Sequence, residues 1–335
     1  MQIIPIFFTF DNNYTVPAAV ALFSMLNKAK DNIFYKIHIL HSDISKNNQQ
    51  LIKNSISGFK NFEILFQDTN GFLKEAWGTG NFENQNKGAK FTADTLLRCF
   101  PAKFFPQYDK IIYSDVDIVF KEDISEIYST NLDDKYIAAV KDAFMKWDAN
   151  ELSHMKPEHY TKFKDTYFAG GIWVLNLEKI RKDNLEEKMI EIINDDTIIK
   201  RWNDMDVMNL ACDNKVKFLP LNYIAYPYLL ERVVQKDFVS HFSREELFDS
   251  IINPKIIHYA GIKPWKDRSI SYAEDWWTIF EYLKLPKTSI FSNETKVWES
   301  DKPKKKIKKY KKLIKVLTTI IALLILVICS FKIFI

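Results

Sequence analysis

The chain is 335 residues long, 47% hydrophobic and 27% charged, with 8 Gly and 11 Pro, a composition that excludes an intrinsically disordered or collagen-like protein. Its three cysteines, Cys99, Cys212 and Cys329, are widely spaced and odd in number, which excludes a disulfide framework and a CxxC-type structural zinc site and implies a reducing compartment for the body. The formal charge of +4 is divided unevenly: residues 302–335 hold ten Lys and no acid, so residues 1–301 carry 37 Lys and Arg against 43 Asp and Glu, net −6, and a mildly acidic body gives no reason to expect a nucleic-acid partner.

The opening MQIIPIFFTF has no basic stretch and no small-residue cleavage site, so it reads as a first strand rather than a signal peptide. Apolar β-rich runs then alternate with amphipathic ones: a strand over Ile3–Phe10, a helix over Pro17–Lys28, a strand over Tyr35–Leu40, a helix after Ser42 and Asp43 ending near Gly58, and a strand over Phe62–Phe66. This βαβαβ pattern predicts an α/β fold, a mostly parallel Rossmann-like sheet flanked by helices, with ligands bound outside the carboxyl ends of the strands. Pro5 sits poorly with a central strand, because it cannot donate to a ladder. Residues 68–90 contain Gly71, Gly78, Gly80 and Gly88, half of all the glycines, and are expected to form a long mobile loop over a site. Residues 143–166 are expected to be an insertion that bears on substrate choice. Neither GxGxxG nor GxxxxGK[ST] occurs, so any nucleotide is held without a glycine-rich phosphate loop.

In IIYSDVDIVF, Ile111–Phe120, two carboxylates at i and i+2 interrupt an apolar strand pattern, and alternation would point both to one face. Like charges so close repel, and burying them without a cation costs several kcal/mol. A divalent ion at the strand's end accounts for them. A lone DxD also arises where a strand runs into solvent, but Ile118, Val119 and Phe120 resume the apolar run. A second signal is IIHYAGIKPW, Ile256–Trp265. There a neutral imidazole at a strand terminus, His258, can complete a metal shell. Gly261 lets backbone approach a phosphate and Lys263 neutralises it. Asp115, Asp117, His258 and Lys263 together describe a metal-bound diphosphate.

These segments fall in order with FDNNY (10–14), TLLRCF (95–100), YFAGGIWVLNLEKIR (167–181), DMDVMNL (204–210) and PLNY (220–223). Over roughly residues 3–280 the chain resembles the retaining glycosyltransferases of family 8, which include bacterial lipopolysaccharide galactosyl- and glucosyltransferases and glycogenin. The resemblance implies a GT-A fold and a UDP-hexose donor. It implies that Asp11 and Asn13 bind uracil and ribose while Tyr14 stacks on the base, and that Arg98 orients the sugar and Asp115. Asp115, Asp117 and His258 would ligate Mn²⁺ or Mg²⁺, with Gly261 and Lys263 on the diphosphate. Asp142 and Asp204 would meet hydroxyls of the transferred sugar or the acceptor, with Gly170 and Met205 on the sugar face. The chain departs from the family where Ala169-Gly170-Gly171 replaces an Asn-containing triplet, where Met205 replaces a Gln, and in the one-residue turn between Gly261 and Lys263. Two other readings remain open: a haloacid-dehalogenase-type phosphatase, in which Asp115 would be the nucleophile, and a non-catalytic nucleotide-sugar binder.

The expected organisation is a glycosyltransferase domain over residues 1–285, nucleotide-binding to about residue 120 and acceptor-binding from 121 to 285, then a linker over 286–303 and an anchor over 304–335. Residues 316–331 form 16 consecutive uncharged positions, about 24 Å as a helix against roughly 30 Å of hydrocarbon. The preceding Lys-rich stretch carries Ile307, Tyr310, Ile314 and Leu317 at helical spacing, a stripe suited to anionic lipid. Snorkelling by Lys315 and Lys332 would let the segment span; otherwise it lies in the interface. Either way the site is expected at the cytoplasmic face of the inner membrane, beside a lipid-linked saccharide acceptor. A chain ending at Asp301 should fractionate as soluble protein while the full chain pellets with membranes; equal solubility of the two would contradict the anchor.

Overall fold

A computed structural model describes residues 1–72, 93–144, 152–195, 197–234, 240–288 and 291. These belong to one compact unit, Met1–Phe291; a second unit, Ser292–Ile335, and with it most of the expected linker and the whole anchor, lies outside the described residues. Most of the expected 68–90 loop also lies outside them, as do residues 145–151 of the expected insertion. Among the described residues no helix is long and apolar enough to cross a membrane.

A seven-stranded sheet runs in the order β3-β2-β1-β4-β7-β6-β8. Its strands are β1 Gln2–Thr9, β2 Ile33–His41, β3 Phe62–Asp68, β4 Lys110–Ser114, β6 Ile137–Lys141, β7 Phe168–Asn176 and β8 Val216–Leu219. All pairings are parallel except those of β7, which lies antiparallel between β4 and β6. A second sheet pairs β5, Ile118–Phe120, antiparallel with β9, Ile256–His258. The fold is the mixed, mostly parallel α/β arrangement that the alternation predicts.

Both faces of the large sheet are covered, so its central strands are apolar on both sides. Ile4, Ile6 and Phe8 of β1 pack into one core and Phe7 into the other. Helix α1, Thr15–Leu26, is buried around nearly its whole circumference, as a helix of such uniformly apolar composition must be. Helix α2, Lys46–Ser55, starts where the Ser45 hydroxyl accepts from Asn48 N at 3.3 Å, satisfying one of the first-turn donors. Pro5 does lie in an interior strand. It is tolerated because the β1–β4 ladder engages only Ile6 and Phe7, so Pro5 is flanked by β2 on one side only.

The topology brings four chain segments to one end of the sheet. β1 and β4 are parallel neighbours, with Ile6 opposite Ile112 and Phe7 opposite Tyr113, so the residues after Thr9 and after Ser114 leave side by side. β7 runs the opposite way, with Ser114 opposite Ile172, which puts its Gly170–Gly171 entry at the same end. There Asp115 N donates to Gly171 O at 2.9 Å. The fourth segment, β9, places His258 opposite Ile118. The strand order reverses between β1 and β4, with β2 and β3 on one side of β1 and β4 on the other, and such a switch point is where open α/β sheets bind ligands.

One expectation is corrected. Asp115 and Asp117 are not alternating positions of a single strand: β4 ends at Ser114, β5 begins at Ile118 in the other sheet, and the acids occupy the bend between them. Two like charges held in the pleat of an apolar core would go uncompensated. In the bend both can turn to cationic side chains from elsewhere in the chain.

Candidate active site

Asp115, Asp117 and His258 each offer one ligand atom, and these atoms lie within 4.8 Å of one another. His258 Nε2 stands 3.5 Å from Asp115 Oδ2 and 3.4 Å from Asp117 Oδ1. The other oxygen of each carboxylate is already taken. Asp117 Oδ2 accepts from the Lys263 ammonium, and Asp115 Oδ1 accepts from the Tyr113 hydroxyl and forms an ion pair with Arg98 Nη1 at 2.9 Å. Each acid is therefore held from outside by a donor and presents one oxygen inward, beside a single imidazole nitrogen. Two carboxylate oxygens and one nitrogen on one side of a cavity suit a divalent ion with positions left for a diphosphate.

The backbone fixes His258 tightly. Its N–H donates to Ala225 O at 2.9 Å, and Tyr259 N donates to Asp117 O at 2.9 Å. The ring lies on the backbone of Gly171, whose φ is +100° and at which a Cβ would stand 2.6 Å from His258 Nδ1 and 2.8 Å from Cε1. Gly171 is thus required twice, for its left-handed conformation and for the space that the ring occupies.

Electrostatics follow from burial and pairing. Burial alone would raise the Asp117 carboxyl, but Lys263 and then His258 hold it well below the usual carboxylate range. Burial likewise opposes the Lys263 charge, and Asp117 outweighs it and raises the ammonium. Arg98 lies 4.8 Å over the ring of Tyr113 and also reaches Asp204 Oδ2 at 3.2 Å. Burial pushes the Asp204 carboxyl up to about 6, with Arg98 opposing and Asp115 adding to the shift. Arg98 stays charged, since the two acids outweigh its desolvation.

A cavity of about 290 Å³ opens beside this cluster, lined by Thr9, Asp11, Tyr14, Arg98, Asp115 and Asp117 among others. Asp11 Oδ1 accepts from Asn13 N at 2.9 Å and Tyr14 N at 3.2 Å, so part of its role is to cap a short turn. Asn13 is exposed. Tyr14 packs edge-on to Trp265, with ring centroids 6.0 Å apart. Gly261 has φ +81° with open space beside its Cα, which leaves its backbone approachable. On the far flank Asp142 Oδ1 accepts from Phe144 N at 2.7 Å. Tyr226 lies tilted against the His258 ring, with ring centroids 5.8 Å apart, and burial first, then the nearby Asp142 charge, raise its hydroxyl. Gly170 N donates to Met205 Sδ at 3.1 Å, a thioether where the family resemblance expects an amide.

The structure thus joins Asp115, Asp117, His258, Lys263, Arg98 and Asp204 in one network, and places Asp11 and Tyr14 on the adjoining cavity. Gly170 and Met205 contact each other, and Asp142 lies on the flank of this network. Sequence reasoning missed Tyr113 and Tyr226. Tyr113 had a signal: it stands two residues before Asp115 in an apolar strand, where a phenol tip needs a partner. Tyr226 had none, because its place depends on the bridge between Ala225 and Ile257.

The sequence profile of glycosyl transferase family 8 matches residues 5–269. A lipopolysaccharide 1,2-glucosyltransferase of Escherichia coli is 27% identical over 284 residues, 82% of this chain and 78% of that enzyme. A lipopolysaccharide 1,3-galactosyltransferase of Salmonella typhimurium is 30% identical over 187 residues, 52% of this chain and 50% of that enzyme. Among solved structures, the galactosyltransferase LgtC in complex with donor and acceptor sugar analogues superposes with a TM-score of 0.64 at 20% identity, covering 85% of this chain and 98% of that one. That likeness establishes the shared fold.

Gly171→Ala should displace the His258 ring and lower glycosyl-transfer turnover by about tenfold or more. Gly170→Ala should do less, since its Cβ would meet only the flexible Met205 side chain, at 3.2 Å from Sδ. Steady-state kinetics of the two variants checks this; equal losses would contradict the packing argument.

Proposed function

Because this chain belongs to glycosyl transferase family 8 and is a hexosyltransferase, we propose that it moves galactose or glucose from UDP to a lipopolysaccharide or other surface-glycan acceptor, with retention and with metal-assisted departure of UDP. The observation that carries the reading is the convergence of Asp115 Oδ2, Asp117 Oδ1 and His258 Nε2 next to a cavity lined by Asp11 and Tyr14.

Those three side chains would hold Mn²⁺ or Mg²⁺; the two hard oxygens suit either ion, and the imidazole favours Mn²⁺. When bound, the ion supplies Lewis-acid neutralisation of the diphosphate. The protein's own groups do the rest. Tyr14 and Asp11 receive the nucleoside, Gly261 allows the backbone close to the phosphates, and Lys263, held charged by Asp117, adds a cation to the leaving group. Breaking the bond between the anomeric carbon and the phosphate oxygen leaves both electrons on that oxygen and an oxocarbenium-like sugar. The acceptor hydroxyl attacks from the same face and passes its proton to the departing oxygen. Met205 supports this front-face route, since its thioether, engaged by Gly170 N, offers no amide to the anomeric carbon. Arg98 and Asp204, a buried pair, orient the sugar, and Asp142 lies on the acceptor flank.

The polybasic and then apolar sequence of residues 304–335 supports a site held at the cytoplasmic face of the inner membrane by anionic lipid, close to a lipid-linked acceptor. Incubation of the full chain with UDP-galactose or UDP-glucose and Mn²⁺ tests the reading. It predicts UDP release, and a loss of about 100-fold or more in Asp117→Asn, whose amide cannot balance the cations around it. Release of inorganic phosphate from a phosphoester would instead mean a phosphatase, binding without either product a non-catalytic binder, and near-normal turnover of the variant would contradict metal-assisted departure.

A further inference from the structure

Tyr113 is fully buried. Its ring packs against Phe7 and Trp173, each at a centroid distance of 5.1 Å, and Arg98 covers its face at 4.8 Å. Nothing in that packing requires a phenol. The Tyr113 hydroxyl donates to Asp115 Oδ1, the oxygen that Arg98 Nη1 also occupies at 2.9 Å. The remaining oxygen, Oδ2, is the one beside His258 Nε2.

We propose that Tyr113 is a positioning residue that saturates one oxygen of Asp115 and so restricts this carboxylate to single-oxygen ligation, favouring a small ion of strict octahedral habit over a larger one. The inference rests on the reading of Asp115, Asp117 and His258 as the metal site. A carboxylate with both oxygens free can bind in a bidentate mode, which raises the coordination number and suits Ca²⁺, with six to eight ligands at about 2.3–2.6 Å. With one oxygen held by the Tyr113 hydroxyl and paired with the Arg98 guanidinium, Asp115 gives a single, directed ligand. Lys263 does the same for Asp117 Oδ2 as a charge, and that oxygen is freed if the ammonium turns to a phosphate. Tyr113, locked in the core, has no such freedom. It fixes the Asp115 geometry whether or not a donor sugar is present.

Tyr113→Phe removes this donor and keeps the ring, the Arg98 stacking and the core contacts. The full chain, saturated with UDP, is titrated with Mn²⁺ by the electron paramagnetic resonance of the free ion and with Ca²⁺ by competition. The variant should bind Mn²⁺ about tenfold more weakly and lose less affinity for Ca²⁺, so that the Ca²⁺-to-Mn²⁺ affinity ratio rises. Mn²⁺ affinity within twofold of the parent, or equal losses for both ions, would overturn the proposal; general loosening of the site would produce the second result. Isotope-edited infrared difference spectra of the parent protein, labelled at Asp carboxyl carbons, give a second readout that does not depend on how Tyr113→Phe folds. The splitting of the Asp115 stretches on Mn²⁺ binding, assigned by its absence in Asp115→Asn, should be that of one-oxygen ligation, and a bidentate splitting would overturn the proposal. Should the parent chain bind no Mn²⁺, or Asp117→Asn bind it as well as the parent, the metal-site reading fails first.

Discussion

Two carboxylates two positions apart, both largely buried, repel one another, and the arrangement around Asp115 and Asp117 is a response to that repulsion. Neither acid is neutralised by the other's surroundings. Asp115 leans on Arg98 and Tyr113, Asp117 on Lys263, and each cation comes from a different part of the chain. Compensation from outside leaves the inner oxygens facing each other across His258 Nε2. A pair left bare would lose charge by taking up protons, whereas Asp117 is held ionised. Negative potential is therefore concentrated at one point and supported on its far side, which is the condition for a cation held only by three protein atoms.

The fold supplies this by topology more than by any one element. β1 and β4 deliver the Asp11–Tyr14 turn and the acidic bend from neighbouring strands, and β7, reversed, brings Gly171 under the same bend. The small β5–β9 sheet carries His258 across from a segment 141 positions later in the sequence than Asp117. Glycine is scarce in this chain, and at Gly171 it is used where a side chain would collide with the imidazole. The place of the imidazole beside the two acids is in this way tied to the backbone conformation of one residue.

Much of this was legible in the sequence, for identifiable reasons. Period-two and period-3.6 apolar patterns over residues 3–66 gave the first three strands and two helices to within a few residues, because these are interior elements whose burial leaves a regular signature. The convergence of Asp115, Asp117, His258 and Lys263 was readable because carboxylates inside an apolar run need a cation. What escaped was local geometry. The pattern of Ile111–Phe120 looks continuous, yet the chain changes sheets within it; hydrophobicity records burial and carries no information about which partner strand does the burying. The caution over Pro5 failed because a parallel neighbour can be engaged over only two residues. Tyr113 was passed over because an aromatic residue in a strand is ordinary core, and only its hydroxyl, two positions from Asp115, distinguishes it. Met205 was noticed, but its contact with Gly170 N was not predictable from spacing.

The central claim is that the imidazole and both acids share one ion together with the nucleotide. Pulsed electron paramagnetic resonance of Mn²⁺ bound to the full chain with UDP measures this directly, through nuclei coupled to the ion. The account predicts a single ¹⁴N coupling from a directly bound imidazole, lost in His258→Gln, together with ³¹P couplings from the diphosphate. Mn²⁺ that shows phosphorus couplings and no imidazole nitrogen would contradict it.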